Sequence, residues 1–70
     1  MNLAEAKAGK EYIIKEIKTD DAELNAFLFS LGCYSGEPVA VISVLRHSLV
    51  ISIKESRYSI DKQLAKAILI

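Results

Sequence analysis

The 70-residue sequence has no tryptophan, one cysteine, one proline, one histidine and no net charge. Each shortage closes off a class of explanation. A lone cysteine, Cys33, cannot form an intramolecular disulfide. Small secreted domains usually depend on such staples, so a cytoplasmic protein is expected. The start of the chain, Met1 to Ala6, lacks a basic segment followed by an apolar one, so no secretion signal is expected. No apolar run approaches the ~20 residues that span a bilayer, and direct membrane insertion is not expected. Nine Lys and Arg face nine Asp and Glu. A nucleic-acid binder needs an excess of cations against phosphates, and a membrane-surface patch needs them in a run. Neither is present, so no nucleic-acid partner is expected.

The same scarcity limits chemistry. Cys33 and His47 are the only thiol and the only imidazole, whereas structural transition-metal sites typically use four such ligands. Cys33 therefore reads as a partly buried small hydrophobe and His47 as an exposed loop residue, with no cofactor or metal site assigned. A nucleophile needs a base within reach and a third group to orient that base. His47 has only Ser48 beside it. The three glycines form no phosphate-cradling loop. The sequence reads as a non-enzymatic protein.

What is present is material for a core. Hydrophobic residues make up 51% of the chain, which argues against disorder. At this length one domain, residues 1–70, is expected, burying about 60–65% of its unfolded surface. Leu3 and Ala6 suit a short helical turn that Gly9 ends. Residues 11–18 read as a first strand, and the adjacent Ile13 and Ile14 call for a bulge or bend. Val39–Leu45 reads as a central strand beginning near Pro38, which cannot donate to a ladder. Arg46-His47-Ser48 is a hairpin loop. Leu49, Ile51 and Ile53 alternate with Val50, Ser52 and Lys54 as a half-buried strand. Tyr58–Ile60 is a further strand, Asp61 caps one helical turn, and Ile68–Ile70 closes the chain. Short strands avoid open edges by closing into a barrel. The expected fold is mainly β: a small SH3-like barrel of five or six strands, with one helix inserted after the first.

That helix is predicted over residues 21–31. Asp20 stands as its N-cap with Glu23 completing a capping box, and Asp21 complements the dipole. Those roles account for all three acids without a bound cation. Leu24, Phe27, Leu28 and Leu31 recur at i, i+3, i+4 and i+7 as a core face, and Gly32 stops the helix. Ala22, Ala26, Phe29 and Cys33 fall on the opposite side, where a surface helix is normally polar. Either the lead-in or the Tyr34 loop covers that stripe, or it meets a partner. Ala22, Ala26 and Phe29 are the candidate partner-binding residues.

These residues also carry a resemblance to the FeoA family. Leu3 and Gly9 precede the first strand. Leu28 and the pair Leu31-Gly32 end the helix, Gly36 follows four residues later, and Val39 three after that. Ser59-Ile60, Ala65, Ile68 and Ile70 match the family's closing pattern with conservative changes. The chain departs from the pattern at Phe27, where the family usually has Arg or Lys, and at Glu55, near which it usually has Gly. The resemblance implies an SH3-like fold and a role beside FeoB, the membrane ferrous iron transporter with a cytoplasmic GTP-hydrolysing domain. A related domain ends iron-dependent repressors, but this chain has no helix-turn-helix segment.

The leading reading is a non-enzymatic adaptor of ferrous iron uptake acting by contact. Two alternatives come from other classes. One is a small nucleic-acid-binding barrel gathering Lys10, Lys15, Lys18, Arg46, Lys54 and Arg57 on one face. The other is a weak transition-metal-binding regulator, its ligands completed by carboxylates or a second chain.

Overall fold

The chain opens with a 3-10 turn, Leu3–Glu5. Asn2 caps it: its side chain accepts from the Ala4 N–H at 3.0 Å, and Glu5 Oε1 accepts from the Asn2 N–H at 2.9 Å. β1 (Glu11–Ile13) and β2 (Glu16–Ile17) are two halves of the expected first strand. The computed structural model, which describes residues 1–70, shows why they part. Ile13 and Ile14 face opposite ways, 53% and 1% exposed. The Ile14 N–H still donates to the Glu37 carbonyl, and its own carbonyl accepts from the Gly36 N–H. One residue on, the Lys15 N–H donates to the Leu69 carbonyl at 2.7 Å instead. The strand changes sheets there, which is how a barrel turns a corner.

β3 (Pro38–Val44), β4 (Ser48–Ile53) and β5 (Ser56–Asp61) form consecutive antiparallel hairpins. With β1 they make a four-stranded sheet in the order β1-β3-β4-β5. β6 (Ile68–Leu69) pairs with β2 as a second, two-stranded sheet. Asn2 bridges Leu69 on the other side of β6, and the Ile70 N–H donates to the Met1 carbonyl, so the N-terminus helps to close the barrel. Between β5 and β6 lies α2 (Lys62–Lys66), which Asp61 caps as expected, its Oδ1 accepting from the Leu64 N–H at 2.8 Å.

The alternation in β4 is clean: Leu49, Ile51 and Ile53 are buried, while Val50 and Ser52 face outward and are half-buried. Register carries the inward set across the sheet, with Ile51 opposite Val41 and Leu49 opposite Ile60. Leu3, Ile14, Leu28, Cys33 and Ile68 complete the core from the other elements, each no more than 1% exposed. A register shift at Ile42, between Val41 and Ser43, bends β3 over this core. The β4–β5 turn is the two residues Lys54 and Glu55, with φ of 50° and 70°. Both lie in the left-handed region that such hairpins require and glycine favours. The departure from the FeoA pattern at Glu55 therefore falls on a position that wants glycine for its backbone.

Two expectations about the helix are corrected. α1 spans Ala22–Leu31, and its N-cap is Asp21, not Asp20. Asp21 Oδ1 accepts from the Glu23 and Leu24 N–H groups at 3.0 and 3.2 Å, and Glu23 does not reach back to form a capping box. Phe27 is not on the core face but 48% exposed. Leu28 alone is fully buried, with Leu24 and Leu31 partly so. These three lie within about 60° on a wheel of 100° per residue, and Phe27 sits about 60° to one side of Leu24. A helix resting on so narrow a line leaves its flank in solvent.

Candidate functional site

The outer side of α1 is the sequence-predicted contact surface. Ala22, Ala26 and Phe29 recur at i, i+4 and i+7, about 160°, −160° and 140° from Leu24 on the wheel. All three are exposed, and Phe29 is 58% exposed. Neither the lead-in nor the Tyr34 loop closes over them, although the Tyr34 ring meets one side of Phe29. Cys33, expected to extend this stripe, does not. The helix ends at Leu31, and Gly32 takes φ 100°, turning the chain inward so that Cys33 is buried. The Gly32 N–H donates to Phe29 and the Cys33 N–H to Leu28, closing the helix end.

That turn brings up residues the sequence did not single out. The Tyr34 ring meets Phe29 edge-on, with centroids 4.5 Å apart at 66°. Lys54 Nζ lies 4.7 Å from the Tyr34 ring centroid and 4.0 Å from Glu37 Oε1. Phe29, Tyr34, Lys54 and Glu37 thus join the end of α1, the following loop and the β4–β5 turn in one surface cluster. A T-shaped aromatic pair contributes about 0.5–1.5 kcal/mol, which restrains Phe29 while leaving most of the ring outside. Tyr34 and Lys54 lie twenty residues apart in sequence, and no local pattern signals their contact.

The groups considered for metal or chemistry are placed differently. His47 is exposed in the β3–β4 turn, where its carbonyl accepts from the Lys62 N–H. Cys33 has no exposed surface, and burial pushes its thiol up from 9.0 to about 11. A protonated, enclosed thiol is a poor nucleophile and a poor ligand. No three His, Cys, Asp or Glu side chains converge as a metal site would need. The six basic residues that might have met nucleic acid are spread along the chain, from before β1 to β5, and Lys54 is engaged by Tyr34 and Glu37. No helix is long and apolar enough to cross a membrane.

Comparison with known proteins bears on the fold and on the family. The crystal structure of an iron uptake regulatory protein, FeoA, superposes with a TM-score of 0.88 over 97% of this chain and 91% of its own, at 25% identity. The zinc complex of Stenotrophomonas maltophilia FeoA, described as an SH3 domain protein, matches at 0.88 over 99% and 87%, at 19% identity. A manganese-dependent transcriptional repressor matches at 0.89, but this chain spans only 39% of it, at 16% identity. Curated proteins return no match by sequence. The fold is the SH3-like barrel of these neighbours. The family model for the FeoA domain matches residues 1–70, and the chain belongs to the FeoA domain family.

Proposed function

We propose that this chain is a non-enzymatic accessory of bacterial ferrous iron uptake that acts by contact with the cytoplasmic part of a FeoB-type transporter. Family membership supports the iron-uptake setting. The S. maltophilia neighbour is described as a suggested activating factor of ferrous iron transport, and the same role is proposed here. The observation that carries the contact reading is the outer face of α1, which presents Ala22, Ala26 and a ring-restrained Phe29 where a surface helix would normally be polar.

The surroundings suggest the chemistry of the complementary surface. Asp20, Asp21 and Glu23 stand at the start of α1, and the segment 20–31 contains no base. No base of the chain pairs with these acids, and its ion pair, Lys54–Glu37, lies at the opposite end of the helix beside Tyr34 and Phe29. The fitting partner is an apolar pocket for Phe29 with cations at one end. Aromatic anchors in apolar pockets dominate contact energies, and rim charges mainly set the rate of encounter.

The test is a titration of the labelled chain with the isolated cytoplasmic domain of the transporter, followed by amide chemical shifts. Shifts confined to α1, Tyr34 and the Lys54 turn are expected. Shifts centred on the β3–β4 turn around His47, or binding unchanged in Phe29→Asp, would overturn the assignment.

A further inference from the structure

The four-stranded sheet has an edge that nothing in the fold pairs. β5 hydrogen-bonds only to β4. Ile53 and Ser56 close a two-residue turn and so form a hydrogen-bonded pair. Bonded and unbonded pairs alternate along an antiparallel ladder. The main-chain groups of Ser56, Tyr58 and Ile60 therefore face β4, and those of Arg57 and Ser59 face away. No hydrogen bond outside the ladder reaches either residue, from main chain or side chain. This edge is six residues long and contains no proline or bulge, two of the usual protections of an exposed edge; the charges it carries are one of each sign, Arg57 and Asp61. On the opposite edge, by contrast, β1 is three residues long and passes its chain on to the second sheet.

The side chains on this strand are arranged to suit one partner. Arg57, Ser59 and Asp61 all point to the outer face and are exposed, opposite Ser52, Val50 and Ser48. Neither Arg57 nor Asp61 has an ion-pair partner within the chain. They stand two residues either side of Ser59 with opposite charges. We propose that β5 pairs antiparallel with β5 of a second copy of this chain, about a two-fold axis through Ser59.

The register follows from the hydrogen bonding. The outward-facing residues are odd-numbered, and pairing Ser59 with itself sets Arg57 against the other copy's Asp61, and Asp61 against its Arg57. Each Ser59 N–H donates to the other Ser59 carbonyl, and each Asp61 N–H to the other Arg57 carbonyl. The contact is isologous, so each cross-strand ion pair occurs twice. Asp61 is already held by its bond to the Leu64 N–H, and a carboxylate has acceptor capacity left for a guanidinium. The two sheets become one of eight strands. One strand from each side makes a small interface, which belongs to the weak, reversible class.

The test is sedimentation equilibrium of the full chain from about 10 μM to 1 mM, at low salt and at about 0.5 M salt where charge pairs are screened. The expected result is a rise from one chain mass to two, with association weakening several-fold at high salt. Arg57→Asp and Asp61→Arg each set like charges opposite one another twice. Each variant alone should associate at least ~10-fold more weakly. Their equimolar mixture restores both attractive pairs and should regain a two-chain species containing one copy of each. Ser59→Pro removes the donor at the axis without removing a bond to β4 and should be monomeric; circular dichroism checks the fold of all three variants, since Asp61 also caps α2. A single-chain mass at every concentration would overturn the proposal. So would a dimer that survives in Ser59→Pro, or a mixture of the two charge variants that fails to pair.

Discussion

Truncating Leu28 to alanine should damage this protein far more than truncating its neighbour Phe29. Leu28 is fully buried and is the one residue of α1 that is. Removing a buried leucine side chain costs its transfer free energy plus the cavity left behind, typically about 2–5 kcal/mol. At about 0.05–0.15 kcal/mol per residue, a domain of this size has a stability of roughly 4–10 kcal/mol. A loss near 3 kcal/mol therefore removes a large share. With a urea slope of about 1 kcal/mol/M for so small a domain, the midpoint falls by about 3 M. Phe29 is 58% exposed, and its one aromatic contact is the edge of Tyr34. Losing that contact costs about 0.5–1.5 kcal/mol, and alanine's better helix propensity returns about 0.5 kcal/mol of it. The assay is urea unfolding of both variants beside the wild type, with the slopes compared as well as the midpoints. A Phe29→Ala loss equal to that of Leu28→Ala would mean that the outer face of α1 is packed, and the free contact surface would not exist.

Three further outcomes follow from the structure. Glu55→Gly should stabilise the chain by about 0.5–1 kcal/mol, because φ 70° strains any side chain there; at about 4–8 °C per kcal/mol the gain in Tm is readily seen by calorimetry, and an unchanged or lower Tm would refute it. Asp21→Ala should cost about 1 kcal/mol as a lost N-cap, while Asp20→Ala should cost under about 0.5 kcal/mol as a surface change, and paired thermal melts would show the reverse order if Asp20 were the cap. The Cys33 thiol, raised from 9.0 to about 11, contributes stability that is complete below pH 9 and lost as pH rises through 11, because the unfolded thiol ionises first. The stability difference between wild type and Cys33→Ala should therefore narrow between pH 8 and pH 11 by up to about 2–3 kcal/mol, and a constant difference would mean that Cys33 is not enclosed.

The strands were legible because burial forces a period of two, and β4 with its alternating Leu49, Ile51 and Ile53 is the plainest case. The adjacent Ile13 and Ile14 pointed correctly to a bend, although only the hydrogen bonds show that the strand changes sheets there. Adjacent Asp20 and Asp21 give the same capping signature, and choosing between them needs the backbone. Phe27 fitted the apolar period, yet a helix lying on one narrow line of contact leaves it out. The resemblance to a family with Arg or Lys at that place was the better indicator of its exposure. Ala22, Ala26 and Phe29 were found from the same wheel, which left open whether another segment covers them; the structure leaves all three exposed. The Tyr34–Lys54 contact was beyond reach, since it depends on how the β4–β5 turn folds back over the helix end.

Contact through the outer face of α1 is tested most directly by ferrous iron uptake in cells lacking the native protein, complemented by folded variants. Phe29→Asp leaves a hydrated carboxylate on the free protein but an unpaired, desolvated one in an apolar interface, a cost of several kcal/mol. It should retain the fold and abolish the effect on uptake, while Cys33→Ser and His47→Ala, if folded, retain it. Full uptake with folded Phe29→Asp, together with loss in folded Cys33→Ser or His47→Ala, would contradict the contact mechanism and favour a metal site.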